Sequence, residues 1–359
     1  DFSDAIHTFG LGGASSIMKD VNFERGYLLG KEFHGDGLTG TLEGANFRNS
    51  YLENASFQRM NLDGADFTGA DLTDVVSYGN TGNPILPAGY SFINGSIVGA
   101  DVYLDGADLS GEDLGNLNLE GIDLSGSNLT GVQSGGITGT PASLPTGYSL
   151  INGYILGPGV NLTNADLSGV NLNGLDLTDV NLTGANLTGI ISGDIAGWNS
   201  AIVLPTGYQM VNGPIISGYI IGPGVNLENV NLTGADLSSF NLTGVLSGGI
   251  IGEPALPSGY ILTSTGHIVG PGAALTDADI GSVDLTNIDL TGANLSGADL
   301  GDATLNGIVS GNISGLYYQV TLPQGYSLKE GYIVGPGVNL TGADLSGADF
   351  SWGHFGTST

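Results

Sequence analysis

The chain has 359 residues, 64 of them glycine and none of them cysteine, and its formal net charge at pH 7 is −29. Only six residues are Lys or Arg, and five of these lie between Lys19 and Arg59. Binding to phosphates needs clustered cations, so the composition all but excludes a nucleic-acid-binding function. The absence of cysteine excludes disulfides and thiolate metal sites, and no apolar run reaches the ~18 residues of a membrane span.

Residues 1–20 are irregular and contain several glycines, and we expect them to form a leader that packs on the first regular segment. The chain begins at Asp1 and not at Met, which indicates a processed or excised product whose export signal would already be removed. Residues 21–82 form a first repetitive segment, in which a large apolar residue recurs at every fifth position, as at Leu42 and Phe47.

Residues 83–359 continue the five-residue period in separate blocks. In one block, leucine recurs at every fifth residue from Leu162 to Leu187, with an apolar residue two positions before each leucine and Asn or Asp directly before it. A period of five fits neither the 3.6 of a helix nor the 2.0 of a half-buried strand. Self-similarity at a fixed short period is typical of a solenoid.

Five longer units interrupt the blocks, and each contains the sequence Leu-Pro-x-Gly-Tyr. Two short strand-like runs follow, and in the second unit they flank Asn152-Gly153. Both residues of this dipeptide accept a positive φ, so we expect β-hairpins that project as ribs or pack along one side. Each block also continues five residues beyond its last leucine with a serine, where we expect a coil with a small centre. The unit tyrosines are Tyr90, Tyr148, Tyr208, Tyr260 and Tyr326.

The repeated Ala-Asp-Leu-x-x and its variants resemble the pentapeptide repeat family, and the resemblance extends over most of the chain. It implies an all-β fold, a right-handed quadrilateral parallel β-helix in which four fives make one turn, here with β-hairpins inserted into the solenoid. The leucine and the residue two before it would point inward. Residues twenty apart would then lie over one another, so that Phe47 stacks on Phe67 and Asp166 lies over Asn186.

The outward Asp and Asn residues have two interpretations. Alternation of Asp with Asn along a column avoids the repulsion of like charges at strand spacing, which would serve solubility. Alternatively, clustered carboxylates could bind calcium, because hard cations prefer oxygen ligands. Calcium is the one possible cofactor, and the candidate ligands for a Ca²⁺ site are Asp277, Asp279 and Asp299.

The unit tyrosines also leave two possibilities. They could form an exposed aromatic ladder for a glycan or a partner, or each could bury its ring beneath a hairpin and hydrogen-bond its hydroxyl. The four histidines are scattered along the sequence, and no Ser/His/Asp constellation or nucleophile elbow is present. We therefore expect no catalytic residues and no enzymatic activity.

Three functions remain open. The favoured one is a secreted or cell-surface structural protein that forms a filament, a sheath or an adhesin stalk by stacking and head-to-tail self-association. A second is an acidic DNA mimic, because some pentapeptide repeat proteins bind DNA gyrase, a topoisomerase, in that way. A third is a surface module that binds calcium or a glycan. The candidates for the assembly contact are Arg25, Lys31, Arg48, Arg59, Trp352 and Phe355.

Overall fold

The computed structural model describes residues 18–35, 40–104, 106–197, 201–211, 218–314 and 320–350. These residues form short strands, isolated β-bridges and turns, and no helix occurs among them. Within the same ranges, nothing has the helical length and apolar character that crossing a membrane requires. The fold is therefore all-β over the described part of the chain.

The chain divides into two compact units. The first comprises Asp1–Thr163, Asp176–Leu182 and Ser200–Val203, and the second comprises Asn164–Leu175, Thr183–Asn199 and Leu204–Thr359. The segments expected from the sequence at 1–20, 21–82 and 83–359 stay a prediction.

Both units contain five-residue faces, most of which pair with the face twenty residues further on, whereas the step is longer where a hairpin intervenes, as between Gln133 and Asn161. Parallel bridges join Asn161 to Asn181 in the first unit and Asp166 to Asn186 in the second. A step of twenty residues means that four fives complete one coil, and parallel bridging stacks each coil on the next. The solenoid of stacked β-coils that the period predicted is thus confirmed.

The leucine at the centre of each five points into the core. Leu167 and Leu172 are buried, and so are Ala165 and Val170, which stand two positions before them. Burial of one such leucine contributes about 1.5–3 kcal/mol relative to leaving it exposed, so the column of centres is the main source of stability. The inward assignment is confirmed for these residues, whereas Leu175 is only partly buried.

Where Asn or Asp precedes the central leucine, its side chain stabilises the bend of the chain through a local hydrogen bond. Asn161 Oδ1 accepts the backbone N–H of Thr163 at 3.1 Å, and Asp166 Oδ1 accepts that of Ser168 at 3.2 Å. Such side chains imitate a backbone turn, which explains why these two residue types precede the centre. The following corner has a positive φ, for example 69° at Gly169, where glycine carries no steric cost.

Phenylalanines fill the core of the first coils. Phe47 and Phe67 stack with their ring centroids 4.8 Å apart, as the sequence predicted, and Phe33 and Phe57 stack at 4.9 Å. Edge-to-face contacts join the two stacks, for example between Phe47 and Phe57 at 5.6 Å. Both geometries are favourable for aromatic rings, so this part of the first unit has a well-packed interior.

Thirteen short strands occur in the described ranges. Three of them form a parallel sheet in the first unit, and the other ten pair as antiparallel hairpins. In the second hairpin the turn residues Asn152 and Gly153 have φ values of 50° and 78°, as a tight two-residue turn requires. The parallel strands are β1 (Glu32–His34), β2 (Ser56–Gln58) and β3 (Val76–Tyr78). The hairpins of the first unit are β4 (Ser91–Ile93) with β5 (Ser96–Val98) and β6 (Ser149–Ile151) with β7 (Tyr154–Leu156). Those of the second unit are β8 (Gln209–Val211) with β9 (Tyr219–Ile221), β10 (Ile261–Leu262) with β11 (Ile268–Val269), and β12 (Ser327–Lys329) with β13 (Tyr332–Val334).

Candidate functional site

Each hairpin is anchored to the preceding coil by one serine side chain. The hydroxyl oxygen of Ser134 accepts the backbone N–H of Ile155 at 2.9 Å, and that of Ser247 accepts the N–H of Ile268 at the same distance. The sequence predicted small centres at these serines but not their role as acceptors. The five contacts are Ser77 with Ile97, Ser134 with Ile155, Ser192 with Ile220, Ser247 with Ile268, and Ser310 with Ile333.

The serine also leaves space for the apolar side chains of the hairpin. Ile155 and Leu156 on β7 are fully buried, and Ile268 and Val269 on β11 are buried to the same degree. A leucine at the preceding centre would compete with these side chains for the same interior. The second strand of each hairpin therefore completes the core, and the hairpins pack against their coils.

The tyrosine of each Leu-Pro-x-Gly-Tyr sequence packs on a glycine and uses its hydroxyl within the chain. Tyr148 donates its O–H to the carbonyl of Pro158 at 2.7 Å. Its ring covers Gly157, where an added Cβ would overlap the ring at Cδ1. Burial raises the pKa of the Tyr148 hydroxyl. The five hydroxyl bonds are Tyr90 to Ala100, Tyr148 to Pro158, Tyr208 to Pro223, Tyr260 to Pro271 and Tyr326 to Pro336.

These five rings are partly buried, and each lies against the glycine that ends its own hairpin. The geometry matches the second of the two interpretations, a packed ring with a bonded hydroxyl. Each ring packs on its glycine, and each hydroxyl is hydrogen-bonded within the chain.

A histidine stands in the fourth hairpin where the second has Tyr154. His267 Nδ1 lies 2.9 Å from Thr265 Oγ1, and an added Cβ on Gly248 would lie 2.9 Å from His267 Nε2. Burial lowers the pKa of His267, and this effect outweighs the opposing influence of the Asp279 and Glu228 carboxylates. Packing against the coil therefore favours the neutral form of the ring over the charged form.

The three calcium candidates are not gathered into a metal site. Asp279 and Asp299 are bridged neighbours on successive coils, and Asp299 Oδ1 accepts the N–H of Gly301 at 2.8 Å. Asp277 occupies a corner with a φ of 55°. Over the described residues, no group of three or more His, Cys, Asp or Glu side chains is placed to hold a metal ion.

Other columns alternate Asp with Asn, and the amide donates to the carboxylate. Asn186 Nδ2 donates to Asp166 Oδ1 at 2.9 Å, and Asn128 Nδ2 donates to Asp108 Oδ1 at 3.1 Å. Hydrogen bonds lower the pKa of Asp108, that from Ser110 most strongly. Each carboxylate thus stacks on a neutral donor and not on a second charge, as the solubility interpretation expects.

Two cations of the first coils are held in ion pairs within the chain. Lys19 Nζ lies 2.7 Å from Glu43 Oε1, and Arg48 Nη1 lies 2.8 Å from Asp66 Oδ2. Of the predicted assembly residues, Arg48 is therefore already neutralised by a neighbouring coil.

Arg25, Lys31 and Arg59 form no ion pair within the part of the chain that the structure describes. Both arginines are exposed. Close to them in sequence, the exposed rings of Tyr27 and Tyr51 stack with centroids 4.6 Å apart. Within the described residues, the first coils thus contain cations without an ion pair as well as exposed aromatic side chains. The other two assembly candidates, Trp352 and Phe355, lie outside the described residues.

The repeat itself determines the family. A family model described as pentapeptide repeats matches eight copies, at residues 42–76, 101–133, 159–191, 223–246, 272–307 and 336–355, which together make up half of the chain. The chain belongs to the pentapeptide repeat family. No curated protein sequence matches this pentapeptide repeat protein.

The solved structures that are similar to this pentapeptide repeat protein include the following two. One is HetL, a pentapeptide repeat protein involved in heterocyst differentiation regulation from the cyanobacterium Nostoc sp. strain PCC 7120. Its identity is 19%, the match covers 81% of this chain and 90% of HetL, and the TM-score is 0.21. The other is QnrB1, a plasmid-mediated fluoroquinolone resistance protein, with 14% identity, coverage of 81% and 89%, and a TM-score of 0.17. At these values of identity and TM-score, neither structure indicates a function for this chain.

Proposed function

We propose that this protein is a non-enzymatic structural protein of the cell exterior that self-associates through its first coils. The observation that supports this function is the confinement of cations. Five of the six Lys and Arg residues lie between Lys19 and Arg59, whereas the 35 acidic residues extend along the chain. Arg25 and Arg59 are exposed and carry no ion pair among the described residues, so they are available to carboxylates of a second copy.

A contact between basic coils of one copy and acidic coils of the next joins unlike surfaces. Such contacts do not close, and they build open filaments. An exposed ion pair contributes only about 0.2–1 kcal/mol, so several must act together with apolar contacts. Tyr27, Tyr51 and Leu29 supply exposed apolar surface in the same coils. A filament, a sheath or an adhesin stalk would follow from this assembly.

The cell-exterior location is part of the same proposal. The long stretch between Arg59 and Lys329 contains no Lys or Arg and hence no site for trypsin-type proteases. Resistance of this kind suits a protein that is exposed to secreted proteases. Immunogold electron microscopy of native material tests the location, and label confined to the cell interior would contradict it.

We also infer that the coils wind as a right-handed, four-sided helix with the hairpins inserted between blocks of fives. The twenty-residue bridging step supports four sides, since each side takes five residues. A crystal structure tests the hand, because a left-handed winding would reverse the order of the faces.

Sedimentation velocity over a range of protein and salt concentrations tests self-association. We expect association that weakens between about 0.01 M and about 1 M salt, as the Debye length falls from roughly 30 to 3 Å. The triple variant Arg25→Gln, Lys31→Gln, Arg59→Gln should remain monomeric, whereas the control Lys329→Gln should associate as the wild type does. A wild-type monomer under all conditions would overturn the proposal.

An acidic DNA mimic that binds a DNA gyrase or another topoisomerase is the second candidate, and the net charge of −29 supports it. The alternation of Asp with Asn works against it, because a row of phosphates has a charge at every step. A gyrase supercoiling assay separates the two functions. Inhibition of the enzyme, or its protection, by the purified protein would favour the mimic.

A calcium or glycan module has less support, since the candidate carboxylates are not clustered and the unit tyrosines are packed.

A further inference from the structure

A groove lies beside the fourth hairpin in the second unit. Its volume is about 710 Å³, within the roughly 300–1,000 Å³ of ligand sites. Its lining includes Glu253, Pro254 and Leu256, which precede the hairpin, together with Ile261 and Leu262 of β10. The groove therefore follows the first strand of the hairpin.

The backbone edge of β10 that faces away from β11 is unpaired. Leu262 lies opposite Ile268, whose N–H points away from β10 to Ser247. Opposite residues of an antiparallel ladder alternate between hydrogen-bonded and non-hydrogen-bonded pairs. Leu262 and Ile268 form a pair of the second kind, so the N–H and C=O of Leu262 point outward. Neither group has a backbone partner among the described residues.

The groove carries a negative charge. Among the described residues that line it, Glu253 alone is charged, and the neighbouring Ile251 is 60% exposed. At the positions corresponding to Glu253, the first two hairpin units have Asn83 and Thr140, which are neutral. A free strand edge, several partly buried apolar side chains and a single carboxylate occur together at this hairpin.

We propose that the groove binds an extended segment of a partner protein in which apolar residues alternate with Lys or Arg. Exposed strand edges accept an additional strand through their backbone groups. The segment pairs with the outward N–H and C=O of Leu262 and places apolar side chains on Leu256 and Ile261. One of its cations pairs with Glu253. This site belongs to the second unit and the cationic first coils belong to the first, and its argument uses none of the cations of the proposed self-association.

A labelled peptide tests the proposal on the full chain. The probe is the fluorescein-labelled heptapeptide Lys-Val-Lys-Val-Lys-Val-Lys, and the control peptide has Glu in place of each Lys. We expect saturable binding of the lysine peptide by fluorescence anisotropy and none of the glutamate peptide. Absence of saturable binding, or equal binding of the two peptides, would overturn the proposal.

Variants separate the backbone contact from the charge contact. Leu262→Pro removes the outward N–H at an edge position where proline is tolerated, and it should weaken binding about fivefold to tenfold. The matched control is Leu328→Pro, at the corresponding position of β12, which should bind as the wild type does. Glu253→Gln should weaken binding about two- to fivefold. Equal effects of the two proline variants would contradict strand addition at β10.

Glu253→Arg keeps the test valid if Leu262→Pro disturbs the hairpin. This substitution should reverse the preference, so that the glutamate peptide binds and the lysine peptide does not. An unchanged preference would place the peptide elsewhere and refute the site. If Leu262→Pro abolishes self-association in sedimentation velocity while the wild type binds no peptide, the groove is a contact between copies and the partner proposal is wrong.

Discussion

Replacement of Ser247 by leucine should destabilise the second unit, although leucine is the usual centre of a five. Ser247 Oγ accepts the N–H of Ile268 at 2.9 Å, and both residues are buried. Loss of the acceptor leaves a buried N–H unpaired, which costs about 1–3 kcal/mol. The larger side chain also enters space that Ile268 occupies, and overpacking costs about 1–3 kcal/mol more. We therefore expect about 2–6 kcal/mol for Ser247→Leu and about 1–3 kcal/mol for Ser247→Ala.

The assay combines urea denaturation with amide hydrogen exchange. Exchange at the Ile268 N–H is the primary measurement, because repeat arrays often do not unfold in a single step. The control is Ser239→Ala on an exposed outward serine, which should stay within about 0.5 kcal/mol of the wild type. If Ser247→Leu unfolds at the wild-type midpoint and Ile268 exchanges at the wild-type rate, the serine is not an anchor and the reasoning is refuted.

Three further substitutions test the core, the hairpin and the response to pH. Leu172→Asp should lower the free energy of unfolding by several kcal/mol because it buries an unpaired carboxylate. Asn173→Asp, on the outward face, should be nearly silent. Equal melting of both variants would refute the inward assignment. Gly270→Ala should displace the Tyr260 ring and cost about 1–3 kcal/mol, a cost that should disappear in a Tyr260→Ala background. Because the pKa of His267 is lowered in the folded protein, its contribution to stability is present above pH about 6.5 and is lost as the pH falls below it. His267→Tyr should remove that part of the pH dependence of the urea midpoint, and an unchanged profile would show that the ring is not held neutral.

The sequence predicts the local periodic features well and the contacts between coil and hairpin poorly. The period of five identified the inward side of Leu172 and the stacking of Phe47 on Phe67, because both depend only on spacing along the chain. The acceptor role of Ser247 depends on where a strand twenty-one residues later comes to lie. The recurrence of serine at the end of every block was the available signal, but its partner could not be identified without the fold.

The candidate groove was still less accessible to prediction. It exists because β10 pairs with β11 on one side and has no strand on its other side among the described residues. The spacing of residues along the chain does not predict which strand edges remain unpaired. Glu253 stands in a Gly-Glu-Pro sequence that resembles the neutral Gly-Asn-Pro ending at Pro84. The fold is needed to show that Glu253 and the unpaired backbone of Leu262 line the same groove.

The residue that follows each anchoring serine on the coil and the residue that faces it on the hairpin are complementary in size, one small and one large. Gly311 follows its anchoring serine and faces the Tyr332 ring, whose Cε1 would lie 3.0 Å from an added Cβ. At the first hairpin the sizes are exchanged in the sequence, with Tyr78 on the coil and Ser96 on the hairpin. Gly311→Tyr should therefore cost about 1–3 kcal/mol by overpacking, and Tyr332→Ser should cost a similar amount through lost ring contacts. The double variant has the same pair of residue types as the first hairpin, so it should be more stable than the sum of the two changes predicts, with a coupling of about 0.5–3 kcal/mol in urea denaturation. Additive effects would show that the two positions do not pack together, and that each hairpin is not specific to its own coil.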